Sequence, residues 1–267
     1  MPYVTVETPR PHVALVTLNR PERLNALSFD VVLPLHDAIR EVGADNDTRV
    51  VVLTGAGAGF CSGLDLTDPG LPPGIEGLPM SRIAVRAMAV FADLVPALRA
   101  LPQPVIAAVN GAAYGGGLCL CVGADIRLAA ASARFCGAGV NNGLTGTELG
   151  VSYLLPRLIG ASRAFEILLS GRELDAREAE RIGLVSRVLP DGELMDAAYA
   201  VAERIAELSP HGVSMTKRVL WSNLEVGSLE AAIDLESRNQ LLVRLTTGNL
   251  DEAIRARREG RKPRFED

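Results

Sequence analysis

The chain is poor in lysine, histidine and aromatic residues. Among its 267 residues only Lys217 and Lys262 are lysines, three residues are histidines, and 4% are aromatic. The net charge is −5, so the chain lacks the basic face that nucleic-acid phosphates require, and we expect no nucleic-acid partner. The histidines show no spacing typical of a metal centre, so no metal site is predicted. Any phosphate of a ligand must be bound mostly by arginine or backbone N–H groups.

Cysteine is also scarce, and the four cysteines contain no CxxC pair. They lie in apolar segments, which predicts free, buried thiols in a reducing compartment. Residues 1–7 lack the basic start and apolar stretch of a signal peptide, so we expect a cytoplasmic protein. Residues 100–124 carry no charge and are long enough to span a bilayer. Prolines and three consecutive glycines interrupt this segment, which favours a strand–turn–helix unit and no membrane partner.

The remaining pattern predicts an α/β protein that is richer in helices towards its end. Residues 3–8 and 12–18 alternate in polarity as a hairpin does, and Ser28 is a suitable N-cap for a helix to about residue 42. Residues 67–79 contain four prolines and predict a long loop. Further predicted strands are residues 48–53, 105–109, 125–129 and 133–136, and a helix is predicted at residues 81–100. Helical periodicity dominates from residue 149 and is broken at residues 185–188 and 190–192.

Two glycine-dense turns follow the two most β-branched runs. The first turn contains residues 60–65, and the second contains residues 110–118 with its triple glycine. Such turns leave backbone N–H groups free and close to a ligand. Two N–H groups that converge on one point form an oxyanion hole, which predicts chemistry on a carbonyl or thioester.

Three other enzyme motifs are excluded by spacing. The run from Gly55 to Gly59 fails the GxGxxG pattern of dinucleotide-binding folds, because Phe60 occupies the third glycine position. The chain has no GK[ST] phosphate loop. Ser62 lies in Cys-Ser-Gly rather than GxSxG, which argues against a hydrolase nucleophile elbow.

Six segments, in order and spacing, resemble the crotonase superfamily, that is, the enoyl-CoA hydratase/isomerase family. They are residues 18–27 (LNRPERLNAL), 52–66, 104–117, 124–127 (ADIR), 155–160 (LPRLIG) and 183–185. The resemblance implies a spiral of ββα units with a C-terminal helical subdomain, CoA thioester binding without a prosthetic group, and homotrimers or dimers of trimers. We expect the spiral core in residues 1–208 and the helical subdomain in residues 209–267.

The resemblance also assigns binding and polarising roles by position. The oxyanion-hole N–H groups map onto Leu64 and Gly116, where only the backbone contributes. The positions that match the CoA-binding strip and the adenine side are Arg23, Leu24, Ala26 and Leu66. A basic and aromatic tail near the nucleotide is matched by residues 261–265, including Lys262 and Phe265.

The acid/base positions depart from the hydratase pattern. The two glutamates of family hydratases correspond to Cys119 and Gly139, and neither can activate water. Glu148 lies where some family isomerases place an acidic residue. Since a double-bond shift needs only one group to remove and return a proton, isomerisation through Glu148 is favoured.

Other acids have weaker claims. Asp65 is expected to be a turn carboxylate and Asp125 to fix a helix–strand junction, whereas Asp68 and Glu76 in the proline-rich loop are substitute bases. The alternatives left open are hydration by a non-standard acid/base set, a non-catalytic acyl-CoA-binding homologue, and thioester hydrolysis or another reaction of this fold.

Overall fold

The computed structural model describes residues 1–265, in which the chain alternates between two β-sheets. The strands are β1 Val4–Arg10, β2 Val13–Leu18, β3 Val50–Gly55, β4 Gly59–Cys61, β5 Val105–Val109, β6 Ala112–Tyr114, β7 Ile126–Ala130, β8 Arg134–Cys136, β9 Leu174–Asp175 and β10 Arg187–Leu189. The helices are α1 Phe29–Ala44, α2 Met80–Ala92, α3 Leu94–Ala100, α4 Gly116–Gly123, α5 Val151–Ile159, α6 Ala161–Ser170, α7 Ala176–Arg181, α8 Leu194–Ala206, α9 Pro210–Asn223, α10 Leu229–Thr246 and α11 Asn249–Glu259.

The larger sheet has six strands in the order β1-β2-β3-β5-β7-β10, parallel except for the β1–β2 hairpin. Helices cover both of its faces. Val51 and Leu53 of β3 pack in the main core with residues of α1, whereas Val50 and Val52 pack against the apolar side of α8. Burial on both faces explains why the central strands are continuous β-branched runs rather than alternating ones.

The smaller sheet has the order β4-β6-β8-β9. Its strands β4, β6 and β8 each follow directly on a strand of the larger sheet, and a helix follows each pair. This repeat confirms the predicted α/β spiral of ββα units. β4 overlaps the start of the first segment that was predicted as a glycine turn, and β6 lies inside the second.

The helix predicted at residues 81–100 is two helices in the structure. α2 ends at Ala92 and α3 begins at Leu94, with Asp93 between them. Pro96 lies in the first turn of α3 and has no N–H with which to bond the carbonyl of Ala92. Proline is tolerated in a first turn, so a new helix can begin there although the earlier one cannot continue.

The last helices connect to the core through α9. Lys217 Nζ lies 2.8 Å from Asp125 Oδ2, and Trp221 Nε1 donates to Asp125 Oδ1 at 2.5 Å. The predicted division at residue 209 coincides with the N-cap of α9, Ser209, and the separate subdomain stays a prediction. Within residues 1–265, no helix has both the length and the apolar character that a membrane span requires.

Candidate active site

Two asparagine side chains fix the turn that follows β3, and one of them, Asn110, reaches it from the end of β5. Asn110 Nδ2 donates to the carbonyls of Gly55 at 2.8 Å and Gly57 at 3.0 Å. Asn25 is fully buried, and its Nδ2 donates to the carbonyl of Gly59 at 2.8 Å. Both asparagines lie in segments that carried the family resemblance, but sequence reasoning gave them no role. The feature that could have identified them is an amide side chain close to a tight turn, where the backbone carbonyls cannot all find backbone N–H partners.

The two glycine turns touch at Gly63. Gly63 has φ of +87°, and a β-carbon there would lie 2.8 Å from the carbonyl oxygen of Tyr114 and 3.3 Å from the nitrogen of Gly116. Only glycine allows so close an approach with this backbone conformation. The structure therefore brings the residues on either side of Gly63 beside the start of α4.

The N–H groups of Leu64 and Gly116 are both available at this contact. The N–H of Leu27 donates to the carbonyl of Gly63, and the N–H of Asp65 donates to the carbonyl of Leu27. Because neighbouring residues of an extended chain direct their N–H groups to opposite sides, the N–H of Leu64 is directed away from Leu27. Gly116 is the first residue of α4, where N–H groups have no partner within the helix. Among residues 1–265, neither N–H donates to a backbone carbonyl.

Glu148 lies against the same turn. A β-carbon at Gly115 would be 3.1 Å from Glu148 Oε1, which places the carboxylate beside the residue that precedes Gly116. No hydrogen bond to this carboxylate is donated by residues 1–265, and burial raises the pKa of Glu148 above its ordinary value. A half-buried carboxylate without donors is more basic than one in water.

The two positions that correspond to the hydratase glutamates carry no carboxylate, and one has no room for one. A β-carbon at Gly139 would lie 1.9 Å from the carbonyl oxygen of Thr145, closer than any side chain can approach. Cys119 is buried in α4, and its thiol donates to the carbonyl of Glu148 at 3.5 Å. Burial raises the pKa of this thiol well above its ordinary value and that of Cys61 to about 12, so both are neutral.

Asp65 is fully committed to its neighbours. It forms ion pairs with Arg20 and Arg23, each at 2.9 Å, and accepts hydrogen bonds from the backbone of Thr67 and Asp68. Burial alone would raise the pKa of Asp65, but the donated hydrogen bonds outweigh it and hold the pKa far below its ordinary value. These contacts match the turn role expected for this carboxylate.

The predicted CoA-binding residues fall into two groups. Arg23, Leu24 and Ala26 form a turn next to the first glycine segment, since the N–H of Ser62 donates to the carbonyl of Leu24. Leu24 and Leu66 are exposed, whereas Ala26 is buried and Arg23 is paired with Asp65. This group lies beside Leu64.

Lys262 and Phe265 lie elsewhere. The carbonyl of Phe265 accepts a hydrogen bond from Arg49, which directly precedes β3, and Lys262 pairs with Glu207. The glycine turns follow the opposite end of β3, and a six-residue strand is about 20 Å long. Within one chain the structure does not bring this tail to the site.

The remaining candidates are placed as follows. Asp68 and Glu76 are exposed in the long loop before α2. Asp125 holds the N–H of Val105 at 2.7 Å, at the start of β5, together with Lys217 and Trp221. Residues 1–265 contain no group of three histidine, cysteine or acidic side chains arranged to hold a metal ion.

Known proteins resemble this chain over almost its whole length. Residues 9–267 match the family model described as enoyl-CoA hydratase/isomerase. A probable enoyl-CoA hydratase of Mycobacterium tuberculosis is 57% identical over 264 residues, which cover 99% of this chain and 93% of that protein. A crystal structure of a probable enoyl-CoA hydratase/isomerase from Mycobacterium abscessus is 52% identical, with a TM-score of 0.95 over 100% of this chain and 99% of that one. Another, of a monofunctional enoyl CoA isomerase from M. smegmatis, is 50% identical with a TM-score of 0.75, covering 87% of this chain and 99% of that one.

Proposed function

The chain belongs to the enoyl-CoA hydratase/isomerase family, and from that premise we propose that it moves the carbon–carbon double bond of an enoyl-CoA thioester. It is an enzyme of the enoyl-CoA hydratase/isomerase type, and the open question is which of the two reactions it performs. The observation that carries the proposal is one half-buried carboxylate, Glu148, beside the turn that begins α4. One carboxylate at that place is what isomerisation requires.

The N–H groups of Leu64 and Gly116 bind the thioester oxygen. Neither donates to a backbone carbonyl in the described part of the chain, and Gly116 adds the positive end of the α4 dipole. Donors fixed in place before the reaction stabilise the negative charge that reaches this oxygen when the thioester becomes an enolate. They lower the barrier to proton removal at C2.

Glu148 then transfers the proton. Its carboxylate removes a proton from C2 of a 3-enoyl-CoA, and the electron pair of the broken C–H bond forms an enolate conjugated with the C3–C4 double bond. The resulting carboxylic acid returns the proton to C4, the double bond moves to C2–C3, and the enolate collapses to the thioester. The raised pKa of Glu148 suits the first step, because a stronger base accepts the proton more readily.

Hydration would need a carboxylate that holds water, and the hydratase positions do not supply one. Position 119 is a neutral thiol, and position 139 is closed by the carbonyl of Thr145. Hydration remains the second candidate because the relative from M. tuberculosis is named a probable hydratase.

CoA is proposed to lie along the turn formed by Arg23, Leu24 and Ala26, with Leu66 on the adenine side. Arg23 is 40% exposed at its side chain even though it is paired with Asp65, so it can still meet a phosphate. Lys262 and Phe265 cannot reach the same site within one chain, so contact of this tail with CoA requires the site of another subunit.

The proposed assembly is a homotrimer or a dimer of trimers. α10 buries no residue in the described chain, although it carries five large apolar side chains that are exposed: Leu229, Ile233, Leu241, Leu242 and Leu245. Exposed apolar side chains in this number on one helix are typical of a subunit interface. The four free, buried cysteines support the proposed cytoplasmic location, which cell fractionation tests.

The test compares two reactions in two proteins. The wild type is offered a 3-enoyl-CoA and a 2-enoyl-CoA, and double-bond shift and hydration are followed by absorbance at the conjugated thioester and by chromatography. We expect the shift to be faster than hydration and Glu148→Gln to abolish it. The rate should fall on the acid side at a pH above the ordinary range of a carboxyl group, because protonation of Glu148 removes the base.

Glu166→Gln is the matched control. Glu166 is an exposed carboxylate on α6, and it forms an ion pair with Arg172. It should leave the rate unchanged. Full turnover by Glu148→Gln would refute the role of Glu148. Hydration faster than isomerisation would establish the second candidate, and tight acyl-CoA binding without turnover would establish a non-catalytic homologue.

A further inference from the structure

Cys119 connects the helix that begins at Gly116 to the segment that carries Glu148. Its thiol donates to the backbone carbonyl of Glu148 at 3.5 Å, and the N–H of Val151 donates to the same carbonyl at 2.9 Å. The side chain of Cys119 is 1% exposed, so water does not compete for this contact. A carbonyl that accepts from two elements fixes the backbone between them.

The segment before Glu148 is mostly exposed, and on its other side Leu149 packs against the main core. Of residues 141–147 only Gly146 is buried. Leu149 has φ of +45°, a left-handed conformation that costs a non-glycine residue about 1 kcal/mol, and Gly150 follows with φ of +88°. A backbone with this conformation persists only when its surroundings hold it.

From this geometry we infer that Cys119 is a positioning residue, which sets the place of the Glu148 carboxylate relative to the N–H of Gly116. Gly116 and Cys119 are three residues apart on α4, so one rigid turn carries the oxyanion donor and the thiol. The inference rests on the proposed role of Glu148. The thiol does not transfer protons itself; burial keeps it protonated, which is the form that donates to the carbonyl.

The test uses the whole enzyme and three variants. Cys119→Ala removes the donor, Cys119→Ser restores one, and Cys121→Ala is the matched control. Cys121 is on the same helix, is fully buried and is likewise a free thiol. Isomerisation is measured as kcat, as KM for the 3-enoyl-CoA and as a pH–rate profile.

We expect Cys119→Ala to lower kcat about tenfold or more while KM changes little, because a misplacement of about 1 Å can cost about a hundredfold in rate. Its acid limb should move to lower pH, since a less confined Glu148 becomes more hydrated and its pKa falls towards the ordinary value. Cys119→Ser should recover most of kcat and the original acid limb. Cys121→Ala should keep kcat and the acid limb at wild-type values, even if it lowers thermal stability as much as Cys119→Ala does.

Two results overturn the inference. One is a Cys119→Ala variant with wild-type kcat and pH profile; the other is equal loss in the Cys119→Ala and Cys121→Ala variants. If either occurs while Glu148→Gln is inactive, the proposed function stands and only the positioning role fails. If Glu148→Gln is itself active, the proposed function has failed first.

Discussion

The two lysines of the chain allow one prediction about burial to be tested with little else changed. Lys217 and Lys262 each form an ion pair, at 2.8 Å with Asp125 and 2.7 Å with Glu207. The side chain of Lys217 is 6% exposed, and that of Lys262 is 81% exposed. The perturbation is the same at both positions, Lys→Met, which keeps an unbranched side chain that is one atom shorter and removes the charge.

The expected loss of stability at position 217 follows from the polar groups that lose their partner. Lys217 Nζ also donates to the carbonyl of Gln103 at 2.9 Å and lies 3.4 Å from that of Leu98. Its removal leaves the carboxylate of Asp125 without a cation and these carbonyls without that donor. Breaking one side of a buried ion pair costs about 3–5 kcal/mol. For a chain of this size that corresponds to a fall of roughly 6–20 °C in the midpoint of thermal unfolding.

At position 262 we expect no measurable change, because an exposed pair is screened by solvent and contributes little. The midpoints are compared by differential scanning calorimetry at pH 7.5 and equal protein concentration, with urea titration as the second measurement. Equal midpoints for the two variants would refute the reasoning, since the pairs differ chiefly in burial. A double change of Lys217→Met with Asp125→Asn should recover part of the loss, because it removes the uncompensated charge.

Two further predictions concern the site and the assembly. Gly139→Ala should lower both kcat and the unfolding midpoint, because its β-carbon would meet the carbonyl of Thr145 at 1.9 Å; Gly227→Ala, with nothing within 4 Å of its β-carbon, is the control. Equal behaviour of these two variants would contradict the closed site. Light scattering should give a mass three or six times the 28.3 kDa of the chain, and Leu241→Glu with Leu245→Glu should lower it. A monomeric wild type would exclude the assigned role of the α10 face.

The fold was predictable wherever one element carries its own signal. The runs at β3 and β5 are β-branched and uninterrupted, so burial on both faces follows from composition. In the smaller sheet, β8 was predicted within residues 133–136, whereas β4 and β6 were not, because they have three residues each and contain glycine or alanine. A strand of that length has no period to detect, and it exists only because the preceding strand of the larger sheet delivers it beside its neighbours.

The same distinction between local and long-range signals applies to the candidate site. The glycine turns after two strands predicted an oxyanion hole, whereas the family resemblance assigned its N–H groups to Leu64 and Gly116, and that assignment stays a prediction. The position of Lys262 and Phe265 was not accessible, because the tail is held by Arg49 at the other end of β3, more than 200 residues away in sequence. The closed position at Gly139 was equally hidden, since it depends on the path of the backbone at Thr145.

The strongest argument for Glu148 comes from comparing three carboxylates to which the sequence analysis gave different roles. Asp65 is held by two arginines and two backbone N–H groups, and Asp125 by Lys217, Trp221 and the N–H of Val105. A proton transferred to either acid would have to break an ion pair. Glu148 accepts no hydrogen bond from residues 1–265, and burial makes its charged form the less favoured one. Of the three it is the carboxylate that forms no ion pair within residues 1–265, and it lies beside the N–H group that would hold the resulting enolate.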